Sequence, residues 1–350
     1  MFGRLMNSFY YGKSGKGDYR KEDLPKNRWQ LFWEMLRIRL SGLCRINLMT
    51  CIAWIPTMVV VAMLLNAVLT ASDLVRVKDE TTNSSVMMLV YDAPVDEDGN
   101  PTGEATQVEA RGILQMFALA LIPCILITGP IQAGLAYVTR NWARDEHAFP
   151  WADFRDAVMD NWKQALGVSA ITSVLPYVLL ICYLFYGQMQ QQSMFFLVPQ
   201  MLTLVLGFVW WLGLVFMYPL MVSYKMKFGQ VIKNGLMLAI ARLPMTIGVR
   251  LATLIPTGIA FVVALLIASN PNSGSINGFL YAVMGLAGYY LILGNSMTRF
   301  VDASFTNAVF DKYINSRIEG VEINRGLAKE EDDDYTDEDE PEDDHPAAQQ

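Results

Sequence analysis

The sequence predicts an all-α polytopic membrane protein, with six transmembrane helices and amphipathic helices on the cytosolic side. Three observations carry this. Of 350 residues, 53% are hydrophobic and only 17% are charged, whereas a soluble domain has about 25% charged residues. Twelve of the 34 acids lie in the last 21 residues, which leaves the rest of the chain poorer still in charge. Several apolar runs exceed twenty residues, enough to cross a hydrocarbon core of about 30 Å.

Residues 1–26 are polar and basic, with no short apolar core close behind, so no cleavable signal peptide is expected. Over 27–43, Trp29, Phe32, Leu36, Leu40 and Leu43 share one helical face. This basic amphipathic helix suits either the lipid interface or the protein's own cytosolic face. The first span is expected at 46–70, with Pro56 inside it. The polar loop 71–111 follows, with nine acids against three basic residues. Within it, 86–91 reads as a strand and 95–103 as a turn, a candidate β-hairpin. Asp96, Asp98 and Asn100 have the opening spacing of a calcium loop, but Pro101 replaces its glycine and Gln107 its final glutamate.

The second span, 112–138, contains Pro123 and Pro130. Each proline removes a backbone hydrogen bond, which predicts a kink or break. The freed carbonyls need protein partners, and Thr128 and Gln132 are close enough in sequence to help. After the charged turn, Pro150 starts an amphipathic helix with Trp151, Phe154, Val158, Trp162 and Ala165 on its apolar stripe. Spans three to six are expected at 166–186, 194–222, 243–269 and 278–297. Further amphipathic helices are expected at 226–242 and 298–318, the latter with Val301, Phe305, Ala308, Val309 and Tyr313 inward. The order of span, aromatic-led amphipathic helix and span repeats weakly. The chain thus divides into a basic segment 1–26, a six-span domain 27–320 and an acidic tail 321–350, which cannot bury apolar area and is expected to be disordered.

Charge sets the orientation. The segments proposed inside carry 23 of the 27 Lys/Arg and those proposed outside carry three. Both termini are therefore expected in the cytoplasm and loop 71–111 outside.

Catalytic chemistry finds little support. No GxSxG or Walker motif is present, and His147 has no cysteine partner nearby in the chain. Asp145 and Glu146 read as solvent-facing or paired with Arg140 and Arg144. Cys44, Cys51, Cys124 and Cys182 all lie in or beside apolar segments and read as buried thiols. Two histidines are too few for a His-built metal centre. No cofactor and no nucleic acid is expected. Arg250 alone lies deep in a span, where it either snorkels to the interface or marks a path. Gln132, Gln200, Asn66 and Asn295 read as bonds between helices, with Gln132, Arg250 and Asn295 as the candidates for lining a cavity. Trp151, Phe154, Arg140, Arg144 and Asp145, together with Trp29, Trp33 and Trp162, are the candidate partner-docking face.

Several blocks resemble the YesL-like family, bacterial integral membrane proteins of unknown function. They are the Met-Phe-Gly opening, Asn47-Leu48 with Pro56, and Thr128-Gly129-Pro130. Arg144-Asp145-Glu146, Trp151-Ala152-Asp153-Phe154, Pro219-Leu220 and Lys233-Asn234-Gly235 complete the set. In that family the Asn-Leu stretch reaches the Thr-x-Gly-Pro block almost at once, while here about 80 residues intervene. The resemblance implies a bacterial plasma-membrane protein associated with carbohydrate uptake, and it supplies no catalytic residues. The expected function is that of a non-enzymatic accessory or scaffold protein in contact with the bilayer and a membrane transport complex. The alternative is a small-solute, sugar-like transporter or permease-like subunit.

The orientation is testable with single cysteines at Asp98 and Lys16 in a variant lacking the native four. A membrane-impermeant maleimide on intact cells is expected to label position 98 and spare position 16; the reverse pattern refutes the assignment.

Overall fold

The computed structural model describes residues 24–78, 85–93, 102–268 and 275–328. The first helix, α1 (Arg28–Thr50), is capped by Asn27, whose side chain accepts from the Gln30 amide. It buries Leu31, Met35, Leu43 and Ile46, while Trp29 and Trp33 face outward. Of the two readings of 27–43, packing on the protein itself is present, but the buried face is rotated from the expected stripe, and Leu40 is exposed. The chain tightens to a 3-10 turn at Cys51–Trp54 and restarts as α2 (Ile55–Leu69). Pro56 falls in the first turn of α2, where no helical hydrogen bond is lost.

The loop that follows forms a three-stranded antiparallel sheet, β1 (Asp73–Lys78), β2 (Ser85–Tyr91) and β3 (Thr106–Glu109). The hairpin expected from 86–91 is present as β2–β3, with Met88 opposite Glu109. The sequence reading missed β1, which pairs Val75 with Met88. Tyr91 ties the sheet to α2 by donating its hydroxyl to the Ala67 carbonyl at 2.8 Å. Asp96, Asp98 and Asn100 lie outside the described residues, as does most of the expected turn.

The expected break in the second apolar segment is present. Helices α3 (Ala110–Leu126) and α4 (Thr128–Ala143) meet at 50°. Pro130 cannot donate to the carbonyl four residues back, Leu126. That carbonyl instead accepts from Ser169 Oγ of the next helix at 2.8 Å. Thr128 Oγ1 donates to the Ile125 carbonyl at 2.7 Å. Gln132 serves elsewhere, so the rescue of the break comes from Ser169 and Thr128.

Helix α5 (Ala152–Met189) corrects an expectation. The amphipathic segment 150–165 and the third span are one unbroken helix of 38 residues. At 1.5 Å per residue it is about 57 Å long, far beyond the membrane core. Its charged first half continues the span outward and is no separate surface helix. Pro150 stands just outside the helix, whose first turn is held by Asp153 Oδ2 accepting from the Phe149 amide at 2.8 Å. Helix α6 (Leu197–Ser223) turns back through α7 (Phe228–Ala241) into α8 (Leu243–Ala268). Helix α9 (Ser275–Tyr289) passes through a π-turn (Tyr290–Gly294) into α10 (Asn295–Tyr313).

Burial divides these helices lengthwise. The core comprises α1, α4, the first half of α5, the second half of α6, α7 and α10. By contrast α2 buries none of its residues, and α8 leaves Leu251, Ile259, Phe261 and Leu266 exposed. An apolar helix that exposes apolar side chains on most sides is built for a nonpolar solvent. Among the described residues four helices are long and apolar enough to cross a membrane, and the bent pair α3–α4 makes a fifth candidate.

Two glycines set the closest helix contact. A Cβ on Gly129 would lie 2.3 Å from Ser169 Oγ and 2.5 Å from the Ala165 carbonyl oxygen. At Gly134 it would meet the Phe154 ring at 2.6 Å. Gly129→Ala is expected to cost about 1–3 kcal/mol through overpacking against backbone, read as a lower melting temperature in detergent. Gly248→Ala, where nothing lies within 4 Å, is the control and is expected to hold or raise it.

Candidate functional site

Helix α10 organises the polar interior. Arg299 and Asp302 stand three residues apart and so share a helix face. Asp302 is fully buried. Its Oδ2 lies 3.5 Å from Arg299 Nη1 and 3.8 Å from Arg250 Nη1 of α8. Arg250 also donates to the Trp211 carbonyl at 2.8 Å and lies over the Trp211 ring, 5.1 Å from its centroid. Arg299 donates through Nε to Gln132 Oε1 and lies 4.6 Å from the centroid of the Tyr218 ring. Helices α4, α6, α8 and α10 therefore meet at one charged junction.

The junction holds two guanidinium groups and one carboxylate. An uncompensated buried charge is costly, and here the negative faces of the Trp211 and Tyr218 rings offset part of the excess positive charge. Neither Asp302 oxygen has a hydrogen-bond partner, and neither does Arg299 Nη1. The attraction is thus mainly coulombic.

Of the three residues expected to line a cavity, Gln132 and Arg250 converge on this junction through Arg299 and Asp302. Asn295 is half-buried and stands four residues, one helical turn, before Arg299. Gln200 donates to the Tyr183 carbonyl of α5 at 3.4 Å.

A second polar network joins the N-terminal end of α1 to the end of the described chain. Asp311 accepts from Arg28, from Asn315 and from the Asn324 amide. Asn315 Oδ1 in turn accepts from the Tyr224 hydroxyl at 2.7 Å. Arg144 pairs with Glu146 at 3.2 Å, and Arg325 reaches the same carboxylate oxygen at 3.3 Å. The Ala328 amide donates to the Pro25 carbonyl at 3.0 Å. Residues 321–328, expected to begin the disordered tail, are thus pinned by polar partners that an apolar-burial argument overlooks; 329–350 lie outside the described residues.

The candidate docking face separates into two parts. Arg144 and Phe154 are turned inward, each 7% exposed: Arg144 is held by Glu146 and Phe154 fills the space over Gly134. Arg140 is half-buried, and burial together with the neighbouring Arg144 lowers its pKa. Asp145 faces solvent at φ +56°. Partial burial raises its pKa, offset by nearby Arg39. Burial pushes the Tyr224 hydroxyl up to about 12 against the pull of Arg140. What projects outward is aromatic. Trp151 is 64% exposed, Phe149 62%, Trp29 68% and Trp33 52%. These residues share one end of the molecule, because Gly326 packs against both Leu31 and the Arg144 carbonyl.

Sequence reasoning missed Arg299, Asp302 and Asp311. The expected inward stripe of α10 was apolar, whereas the buried positions include Asp302, Thr306, Asn307 and Asp311, and Tyr313 is outside. The available signal was the Arg299–Asp302 spacing directly after an apolar run containing Asn295.

The family model described as a protein of unknown function, DUF624, matches residues 112–183. The match covers α3, α4 and most of α5, the segment holding the break, Gly129, Gly134 and Ser169. No curated protein and no solved structure matches the chain.

Asp302→Leu alone strands two buried guanidinium groups and is expected to cost about 3–5 kcal/mol. The triple variant Arg250→Met/Arg299→Met/Asp302→Leu, which removes all three charges, is expected to recover most of that loss in a thermal melt.

Proposed function

We propose that the protein is a non-enzymatic accessory or scaffold protein of the bacterial plasma membrane, serving a membrane transport complex linked to carbohydrate uptake. It crosses the bilayer six times, with both termini cytoplasmic. The six crossings are the end of α1 with α2, α3 with the start of α4, the apolar half of α5, α6, α8, and α9 with the π-turn. The packed bundle with its charged surface is the cytosolic end, in keeping with the distribution of Lys and Arg. The observation that carries the scaffold reading is the aromatic rim of Trp29, Trp33, Phe149 and Trp151. These large, exposed side chains lie at the same end of the molecule as a turn whose Arg144 and Glu146 are already paired with each other, and Trp is enriched among the few residues that carry most of the energy of a protein interface.

The alternative, a small-solute transporter, draws support from the unsatisfied buried oxygens of Asp302. The two readings separate in one preparation. The scaffold reading expects a stoichiometric transport subunit that co-purifies and is lost on Trp29→Ser/Trp33→Ser/Phe149→Ser/Trp151→Ser, with the melting temperature unchanged. A sugar-induced rise of several degrees in melting temperature, abolished by Gln132→Ala, overturns it in favour of transport.

A further inference from the structure

A groove of about 940 Å³ opens between α5 and the turn joining α6 to α7. Asp160 and Gln164 line its α5 wall, and Tyr224, Lys225 and Lys227 line the turn. The turn is fastened to α5 by Gln164, whose Nε2 donates to the Met226 carbonyl at 2.8 Å. The walls carry opposite charge. Asp160, Lys225 and Lys227 are all exposed, and among the described residues none of them takes part in an ion pair. A carboxylate and two ammonium groups lining one groove, fastened by a neighbouring hydrogen bond yet unpaired, present two poles rather than a neutralised pair.

The level of the groove is informative. Along α5, Arg155, Asp156, Asp160 and Lys163 give way to an apolar run beginning at Leu166. Trp162, 46% exposed, stands at that change, with the Lys163 ammonium 5.5 Å from its ring centroid. Tryptophan and lysine at such a boundary mark the headgroup layer. The first amides of α7, directly after Lys227, add partial positive charge on the lysine side.

We propose that this groove binds a phosphate ester carrying a primary ammonium, the headgroup of an aminophospholipid such as phosphatidylethanolamine. The phosphate sits between Lys225 and Lys227, and the ammonium faces Asp160. This rests on the membrane-spanning reading and not on the scaffold role, so its failure leaves the aromatic-rim experiment untouched.

The test is native mass spectrometry of the full chain in detergent, with phosphatidylethanolamine or phosphatidylglycerol added at equal concentration. The wild type is expected to retain phosphatidylethanolamine preferentially. Lys225→Gln/Lys227→Gln is expected to lower that retention roughly thirtyfold, about fivefold for each lysine near a lipid surface. Asp160→Asn is expected to reduce it to the phosphatidylglycerol level. All three positions are exposed, so unchanged melting temperatures are expected and serve as the folding control. Equal retention of the two lipids by the wild type overturns the proposal, as does retention indifferent to the lysine substitutions. Soluble phosphoethanolamine that competes as well as the lipid overturns the lipid source.

Discussion

The bundle depends on one carboxylate. Asp302 is fully enclosed, and Arg250 and Arg299 approach it from two helices. Remove its charge and two guanidinium groups face each other in a low-dielectric interior. With it in place, α4, α6, α8 and α10 have a common fixed point. Buried ion pairs add little net stability over an apolar replacement. Their value here is positional: Gln132, Trp211 and Tyr218 are each held by one of the two arginines, so the helices that carry them have one register in which every group is served.

The same logic of specific polar closure recurs along the molecule. Pro130 opens the α3–α4 break, and Ser169 closes it by serving the carbonyl left behind. Gly129 is what lets α5 come near enough to do so. The π-turn before α10 disturbs the ladder at Tyr290 and Leu291, and the side-chain Nδ2 of Asn47 donates to both carbonyls, at 2.9 and 2.7 Å. Its Oδ1 accepts from the Ser296 amide at 2.9 Å. A side chain with no exposed surface thus uses both its donor and its acceptor across helices.

Apolar patterning made the long apolar helices, the proline break and strand β2 legible in the sequence, because each follows from length, period or a missing donor. It found only part of the inward face of α10, Val309 with Phe305 packed against the core and Tyr313 outside, and it gave the wrong boundary for α5. In α10 the buried face interleaves Phe300, Ala303, Val309 and Phe310 with polar side chains, and a pattern argument that places charge outside cannot find Asp302 or Asp311 without knowing their partners on α1 and α8. In α5 the change from charged to apolar at Leu166 looks like a junction between two helices, yet nothing in the backbone interrupts it. Arg144 and Phe154 were read as surface for a related reason. Their partners, Glu146 and Gly134, are near in sequence, but only the fold turns them inward.

The contact between Asn47 and the π-turn has a consequence for how the molecule is made. The two partners are 243 residues apart for the Tyr290 carbonyl, so α1 leaves the ribosome long before the element that completes it. During that interval Leu31, Met35 and Leu43 can pack on α4, through Leu135, Val138 and Trp142, but not yet on Phe300 and Ala303 of α10. Closure of this contact therefore waits for the last helix, and a chain stopped before the π-turn leaves the buried Asn47 side chain without the carbonyls it serves.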